Sequence, residues 1–266
     1  MSDTLHLALL QLDLHWHSPD ANRAHIEERL RQLEEIDIVL LPEMFTTGFT
    51  MEAAAYAEPM NFHTCRWMRL MAAHSGAVIA GSIIVKENGH YYNRLLWVTP
   101  EGDVQYYDKR HLFRMAGEHK VYTPGSHLPV FQYKGWRIAP FICYDLRFPV
   151  WSYNRAFMYD LAIYVANWPA PRITAWDALL AARAIENVAY VAGVNRTGTD
   201  TEGMVYPGHS AVFDFKGQPL AQAGNTEETL CVKLDKQALQ RFREKFPVHL
   251  DADDFLIVDG VAQNKT

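Results

Sequence analysis

A glutamate, a lysine and a cysteine, three groups of complementary chemistry, each follow an apolar segment of the chain. Glu43 comes after IDIVLLP, Lys109 after VQYYD, and Cys143 after WRIAPFI. Functional sites of α/β proteins gather where strands end, because strands are rigid and the loops after them are free to vary. Taken singly, such residues are more often a helix cap, a surface charge and a small core side chain. The prediction of a site therefore depends on all three occurring together.

These three groups could together carry out acyl transfer. A thiol is mostly protonated at neutral pH, so it needs a base or a nearby cation to become a strong nucleophile. Glu43 could accept the thiol proton and later deliver it to a departing amine. Lys109 could stabilise the thiolate and the oxyanion, a contribution of about 3 kcal/mol per donor. Because Cys143 stands at a predicted strand-to-helix turn, the N–H of Tyr144 is a candidate second oxyanion donor.

Short apolar runs alternate along the chain with longer segments of helical periodicity. Strands are predicted at 5–9, 36–43, 76–85, 136–143, 161–167, 188–195 and 228–235, helices at 19–36, 64–71 and 176–187, and hairpins at 93–110 and 209–224. Ser18 is the predicted cap of the first helix and Pro19 its first residue. Leu179, Ala182 and Ile185 share one face of the last helix. This alternation predicts an α/β fold with two mixed sheets packed face to face and helices outside.

The composition is typical of a globular protein with a sizeable core. The chain has 266 residues, 49% of them apolar and 21% charged, and it lacks a linker, so one domain over 1–266 is predicted. The net charge of −6 argues against a nucleic-acid partner. No apolar run is long enough for a membrane span, and the first residues lack the pattern of a signal peptide. We therefore expect a cytoplasmic protein with a small-molecule substrate; three cysteines do not suggest a disulfide framework.

The chain resembles the nitrilase superfamily, also called the carbon–nitrogen hydrolases, over nearly its whole length. The matching elements are strand-Pro-Glu at 38–43, Asp-Lys followed by Phe at 108–113, CYDLRFP at 143–149, RAIEN at 183–187 and GHS at 208–210. Such a combination is highly specific. It implies a Glu–Lys–Cys triad at Glu43, Lys109 and Cys143, and no cofactor. It also implies a four-layer α-β-β-α sandwich and a homodimer, to which the C-terminal tail (about 245–266) is expected to contribute.

The resemblance also implies a second glutamate near the lysine loop, which Glu118 matches. That carboxylate would hold Lys109 protonated and oriented, and it could assist the water that resolves the acyl-enzyme. From the residues alone, an isolated loop carboxylate is more simply a charge that faces solvent. The catalytic interpretation of Glu118 comes from the resemblance.

Within the superfamily, the chain looks most like the omega-amidases, because it is short and carries CYDLRFP and a later NWP. Those enzymes hydrolyse the terminal amide of short 2-oxo dicarboxylic acid monoamides, such as 2-oxoglutaramate, to the diacid and ammonia. Such a substrate needs a cation for its carboxylate and an apolar wall for its carbon chain. Arg147, four residues after Cys143, is one candidate cation, although pairing with Asp145 or another carboxylate is an equally good interpretation.

Aromatic residues beside the proposed triad are the other candidate substrate-binding residues. Phe45, Phe113 and Trp168 flank the proposed catalytic positions and could line the pocket, although aromatic side chains there could equally belong to the core. Tyr144, next to Cys143, is a further candidate substrate-binding residue. Arg183 and Glu186, on the last predicted helix, are expected to form internal ion pairs or to hold the active-site loop.

Three histidines are tempting as metal ligands. No HxxxH or CxxC spacing organises His111, His119 and His209, so we predict no metal site. Cys65 and Cys231 lack chemical context and are expected to be ordinary thiols.

Two alternatives to the omega-amidase hypothesis stay open. A nitrile or N-carbamoyl hydrolase of the same superfamily would use the same three groups on a different leaving group. A catalytically silent scaffold would keep the sandwich and bind a partner. The scaffold has no chemical need to retain Glu43, Lys109 and Cys143 together, which favours an enzyme.

Overall fold

Fourteen strands and six helices alternate along residues 3–257, which the computed structural model of the chain describes. The strands are β1 (Thr4–Gln11), β2 (Ile38–Leu40), β3 (Val78–Glu87), β4 (His90–Val98), β5 (Val104–Asp108), β6 (Phe131–Tyr133), β7 (Trp136–Ile142), β8 (Leu161–Ala166), β9 (Tyr190–Asn195), β10 (Thr197–Thr199), β11 (Val205–Pro207), β12 (Ala211–Phe213), β13 (Pro219–Gln222) and β14 (Glu228–Asp235). The helices are α1 (Pro19–Leu30), α2 (Ala53–Tyr56), α3 (His63–Ser75), α4 (Pro149–Ser152), α5 (Ile173–Asn187) and α6 (Lys236–Lys245).

Twelve of these strands form two six-stranded sheets, and β10 pairs with β11 in a separate ribbon. The first sheet has the order β14-β1-β2-β3-β4-β5, and the second has the order β13-β12-β9-β8-β7-β6. Strands β1, β2 and β3 of the first sheet are parallel to one another, as are β7, β8 and β9 of the second sheet. The other pairings in the two sheets are antiparallel. The prediction of two mixed sheets is confirmed.

The two sheets pack face to face because successive side chains of a strand point to opposite sides. Leu7 and Leu9 of β1 point inward and share a core with Ile163 of β8 in the second sheet. Leu10 points outward and belongs to a second core that includes Met68 of α3. Helix α5 covers the outer face of the second sheet through a third core. The layers are therefore α-β-β-α, as the resemblance implied.

Helix α5 covers its sheet with a different face from the one that the sequence pattern marked. Leu179, Ala182 and Ile185 do share a face, but only Leu179 packs against the third core, and Ile185 is 56% exposed. Trp176 and Leu180 form the centre of the buried side. Apolar spacing alone therefore identified an amphipathic helix but not the residues at the centre of its buried side.

Gly193 on β9 explains why α5 packs through this face. A Cβ added to Gly193 would lie 2.7 Å from a methyl carbon of Leu180 and 2.9 Å from the ring of Trp176. Helix α5 can approach the sheet this closely only because the strand carries no side chain there.

The first helix is shorter than predicted. It begins at Pro19 as expected but ends at Leu30, and the Ser18 side chain makes no capping hydrogen bond. The chain must then reverse to enter β2, and it does so through Glu35 with a φ of +53°. The N–H of Asp37 donates to the carbonyl of His6 at 2.9 Å, which starts the pairing of this segment with β1.

The last strand belongs to the first sheet. β14 pairs antiparallel with β1 over eight residue pairs, from Thr4 opposite Asp235 to Gln11 opposite Glu228. Strand β1 is therefore an interior strand, flanked by β14 on one side and β2 on the other.

None of the helices within residues 3–257 combines the length and the apolar character needed to cross a lipid bilayer. Of the tail predicted to contribute to a dimer, 245–257 is described, and its last part, 258–266, lies outside the described residues.

Candidate active site

The structure gathers the predicted site residues around one cavity of about 400 Å³. Seven of the eight line it, namely Glu43, Lys109, Phe113, Cys143, Tyr144, Arg147 and Trp168. The eighth, Glu118, is completely buried and contacts Lys109. Each residue of the proposed triad stands shortly after a strand, β2 for the glutamate, β5 for the lysine and β7 for the cysteine.

A buried lysine lies between two buried carboxylates. Lys109 Nζ donates to Glu43 Oε1 at 2.8 Å and to Glu118 Oε1 at 3.0 Å, and all three side chains are at most 1% exposed. Burial by itself would lower the pKa of Lys109, but the two carboxylates outweigh it, so the pKa lies above its ordinary value. Burial raises the pKa of Glu118 against the attraction of Lys109. The site therefore holds a protonated lysine in one fixed position.

Asn93 on β4 bridges the two carboxylates, a contact that the sequence pattern did not reveal. Its Nδ2 donates to Glu43 Oε1 at 2.8 Å and to Glu118 Oε1 at 3.3 Å. Its carbonyl accepts from the N–H of Lys109 at 3.0 Å. The available signal was an amide side chain within the predicted strand of the hairpin, close to the position opposite the end of β5.

The second oxygen of Glu43 is also fixed. Oε2 accepts from the N–H of Asn167 at 2.9 Å, and the Asn167 side chain donates back to the carbonyl of Glu43. Asn167 directly follows β8, so the end of that strand holds the glutamate beside the cavity. Hydrogen bonds from three elements thus leave the Glu43 carboxylate little freedom to rotate.

Cys143 occupies a strained turn immediately after β7. Its φ of +46° lies in the left-handed region, which non-glycine residues rarely adopt. Burial and the nearby Glu43 carboxylate raise the pKa of the Cys143 thiol well above its ordinary value, although Lys109 opposes them. The thiol is therefore neutral at rest, and its proton must pass to a base when the sulfur attacks.

Asp145 connects the turn after β7 to the loop after β5. Its Oδ2 accepts from the N–H of Ile142 at 3.0 Å and from the hydroxyl of Tyr107 at 2.8 Å. Its Oδ1 accepts from the N–H of His111 at 3.0 Å. Asp145 therefore pairs with these groups, and the alternative interpretation in which it pairs with Arg147 is wrong.

Arg147 is a cation without a carboxylate partner in the part of the chain that the structure describes. Its guanidinium carbon lies 5.2 Å from the centre of the Trp168 ring, an arrangement typical of a cation–π contact. Phe113 and Tyr144 pack edge to face on another part of the wall, with ring centres 5.0 Å apart. The cavity thus combines an unpaired positive charge with aromatic surface.

Arg183 does both things that were expected of it. One guanidinium nitrogen donates to the carbonyl of Leu146 at 2.7 Å, which holds the turn that carries the nucleophile candidate. The other donates to Glu186 at 2.7 Å. The helix α5 therefore supports the turn from outside the cavity.

Two of the three histidines considered as metal ligands contact carboxylates, and the third, His119, has a buried ring nitrogen without a hydrogen-bond partner in the described part of the chain. His111 contacts Asp145, and His209 contacts Asp177 at 3.0 Å. Within 3–257 no group of three or more His, Cys, Asp or Glu side chains is arranged to hold a metal ion. Cys65 is a buried free thiol, and Cys231 is an exposed one.

Comparison with known proteins gives a consistent result. The profile of the family described as carbon–nitrogen hydrolase matches residues 6–244. The chain is 48% identical to the omega-amidase YafV of Yersinia enterocolitica over 256 residues, which cover 96% of this chain and 99% of that protein. It is 32% identical to the 2-oxoglutaramate amidase of Bacillus subtilis over 250 residues, 92% of this chain and 96% of that one.

A solved structure agrees with the sequence comparisons. The crystal structure of a CN-hydrolase superfamily protein from Xanthomonas campestris, which holds an arsenic adduct in its active site, matches with a TM-score of 0.94. The two chains are 44% identical, and the match covers 97% of this chain and 100% of the other.

Proposed function

The chain belongs to the carbon–nitrogen hydrolase family, and from this premise we propose that it hydrolyses the terminal amide of a short 2-oxo dicarboxylic acid monoamide such as 2-oxoglutaramate. The observation that carries the proposal is one cavity that holds a thiol, a lysine between two carboxylates, and an arginine without a carboxylate partner. The relatives named omega-amidase and 2-oxoglutaramate amidase support the same class of substrate.

The first half of the proposed reaction forms a thioester. Glu43 takes the thiol proton as the sulfur of Cys143 attacks the amide carbon. The Lys109 ammonium and the backbone N–H of Tyr144 stabilise the oxyanion of the tetrahedral intermediate. Glu43 then delivers its proton to the amide nitrogen, the C–N bond breaks, and ammonia leaves.

The second half hydrolyses the thioester. Water attacks the same carbonyl carbon, Glu43 takes a proton from that water, and the oxyanion returns to the same donors. Collapse of the intermediate breaks the C–S bond, and the proton returns to the sulfur of Cys143. Glu118 keeps Lys109 charged and oriented through both halves. Its buried carboxylate also supplies negative charge near the attacking water.

Glu118→Gln is expected to slow hydrolysis of the thioester more than its formation. The substitution keeps the size of the side chain and an oxygen that can accept from Lys109, but it removes the negative charge. An acyl-enzyme should therefore accumulate on Cys143, visible as a substrate-derived mass increment after rapid quenching. Glu101→Gln, a change at an exposed position in the β4–β5 turn, is the matched control. Equal slowing of both steps, without an adduct, would limit Glu118 to holding the lysine.

Arg147→Met is expected to penalise charged substrates far more than neutral amides of the same length. The guanidinium binds the substrate carboxylate, and losing a desolvated charge pair costs roughly 2–4 kcal/mol. The value of kcat/KM should therefore fall by about 30- to 1,000-fold for the charged substrate. Equal losses on both substrates would show that Arg147 only supports the fold and that the carboxylate is held elsewhere.

An ammonia-release screen tests the function itself. The wild-type protein should release ammonia fastest from 2-oxoglutaramate, more slowly from a neutral amide of equal length, and least from the corresponding nitrile. A preference for the nitrile or for an N-carbamoyl substrate would move the protein to another branch of the family. Alkylation of Cys143 without turnover of any substrate would favour the silent scaffold.

We further propose a homodimer and a cytoplasmic location. Helix α5 carries an exposed apolar side chain, Ile185, beside the half-buried Leu179 and Ala182, and this outer surface suits pairing through helices. Light scattering should give the mass of a dimer, and Ile185→Glu should shift it toward the monomer.

The three cysteines are all free, as expected in a reducing compartment.

A further inference from the structure

Two arginines, Arg147 and Arg172, line the cavity, and only Arg147 was predicted from the sequence. Arg172, just before α5, lies with its guanidinium carbon 5.1 Å from the centre of the Phe113 ring, much as Arg147 lies over Trp168. The carbonyl of Arg172 accepts from Trp168 Nε1 at 2.7 Å, so the backbone of Arg172 is bonded to the same ring over which the Arg147 guanidinium lies. Both side chains are half-buried, and among residues 3–257 neither guanidinium makes a hydrogen bond or an ion pair.

Carboxylates of the cavity wall do not satisfy these arginines. Glu52, Asp200 and Glu202 line the same cavity, but none forms an ion pair with either guanidinium. Asp200 is already engaged, because it accepts from the N–H groups of Glu202 and Met204 at 2.9 Å and from the Tyr206 hydroxyl at 3.1 Å. The guanidinium nitrogens of Arg147 and Arg172 are not among the buried polar atoms without a partner, so they are accessible from the cavity, and a ligand that enters it can supply acceptors to both.

The number of hydrogen-bond acceptors that Arg147 and Arg172 can use indicates the kind of ligand that suits the cavity. One guanidinium binds one carboxylate through two parallel hydrogen bonds. A carboxylate bound in this way has only its two outer lone pairs left for Arg172, and it would have to share its oxygens between both guanidinium groups. A 2-oxo acid carries a further acceptor, the oxo oxygen, on the carbon next to its carboxylate. We propose that Arg172 donates to this 2-oxo oxygen while Arg147 binds the carboxylate, an inference that rests on the proposed function.

The assignment makes Arg172 the residue that distinguishes substrates by their group at C2. 2-Oxoglutaramate, glutaramate and glutamine share the same amide and the same carboxylate, but they carry an oxo group, a methylene and an ammonium at C2. The oxo group accepts from Arg172, and the methylene cannot. The ammonium brings a like charge toward the guanidinium, which is unfavourable in a partly desolvated site.

Arg172→Met tests the inference through kcat/KM for these three amides. We expect a loss of roughly 10- to 150-fold for 2-oxoglutaramate, the range of a hydrogen bond to a charged group. Glutaramate should change by no more than about threefold, and glutamine should improve. Arg172→Lys, which keeps the charge without the planar fork, should still disfavour glutamine. Arg114→Met removes an exposed charge outside the cavity lining and should leave all three values unchanged.

Binding to an inactive background gives a second readout. In Cys143→Ala, Arg172→Met should weaken 2-oxoglutarate at least about tenfold while leaving glutarate almost unaffected in calorimetry. Equal losses for the 2-oxo and the methylene compounds, in turnover and in binding, would overturn the role of Arg172. Wild-type turnover of glutaramate without a preference for 2-oxoglutaramate would overturn it too, while leaving an amidase. Absence of turnover with either amide would overturn the proposed function itself.

Discussion

Cys143→Ala is expected to abolish ammonia release while leaving the fold intact. The substitution removes only the sulfur, and alanine at this position keeps the same backbone strain that the φ of +46° imposes. Removing the nucleophile from a set of catalytic residues that act together typically reduces kcat by at least about 10⁴-fold. The melting temperature should change little, because the side chain is small and only partly buried.

Two measurements connect this loss to the sulfur of Cys143. Cys231→Ala, at an exposed position on β14, is the matched control and should keep full activity. Incubation of the wild-type protein with a slow substrate should add the acyl mass to Cys143 and not to Cys65 or Cys231. If Cys143→Ala stayed within about tenfold of wild-type kcat, the thioester mechanism would be wrong.

Lys109→Ala is expected to damage both turnover and stability. Loss of an oxyanion donor typically reduces kcat by about 10²- to 10³-fold. The same substitution leaves Glu43 and Glu118 facing each other without their shared cation. Removing one partner of a buried ion pair costs about 3–5 kcal/mol. Lys120→Ala, which removes an exposed lysine from the same loop region, is the matched control and should reduce neither kcat nor stability.

The loss of stability in Lys109→Ala should depend on pH. Burial already raises the pKa of Glu118, and Lys109 opposes that shift in the wild-type protein. Without the lysine, the folded chain holds a proton on Glu118 at pH values where the unfolded chain has released it. The free energy of unfolding therefore falls as pH rises, so the loss of stability should be smaller near about pH 5 than near about pH 8. A deficit independent of pH would show that the three groups are not electrostatically coupled.

Local patterns were sufficient for the parts of the structure that depend on neighbours in sequence. Apolar alternation identified the strands, and the hairpin between β4 and β5 followed from its Pro-Glu-Gly turn. The residues after three strands marked the cavity, because a strand end fixes where the next side chain can stand. Glu43, Lys109 and Cys143 converge although they are far apart in sequence.

Contacts that depend on how two layers meet were beyond these patterns. The bridge from Asn93 to two carboxylates exists only because β4 lies beside the end of β5. The buried side of α5 was decided by Gly193, a residue on another element. In the sequence Arg172 is an ordinary charge before a helix, and only the structure shows that its guanidinium lies over the Phe113 ring. The role of each of these residues depends on a neighbour that is close in space but not adjacent in sequence.

The pairing of β14 with β1 sets the order in which the protein can fold during synthesis. One hydrogen-bonding edge of β1 stays uncovered until Glu228–Asp235 has been synthesised. Closing so long a loop is entropically expensive and slow, and an open, apolar strand edge is a template for association with other chains. The first sheet therefore cannot be completed before β14 has been synthesised, and until then the open edge of β1 can associate with other chains.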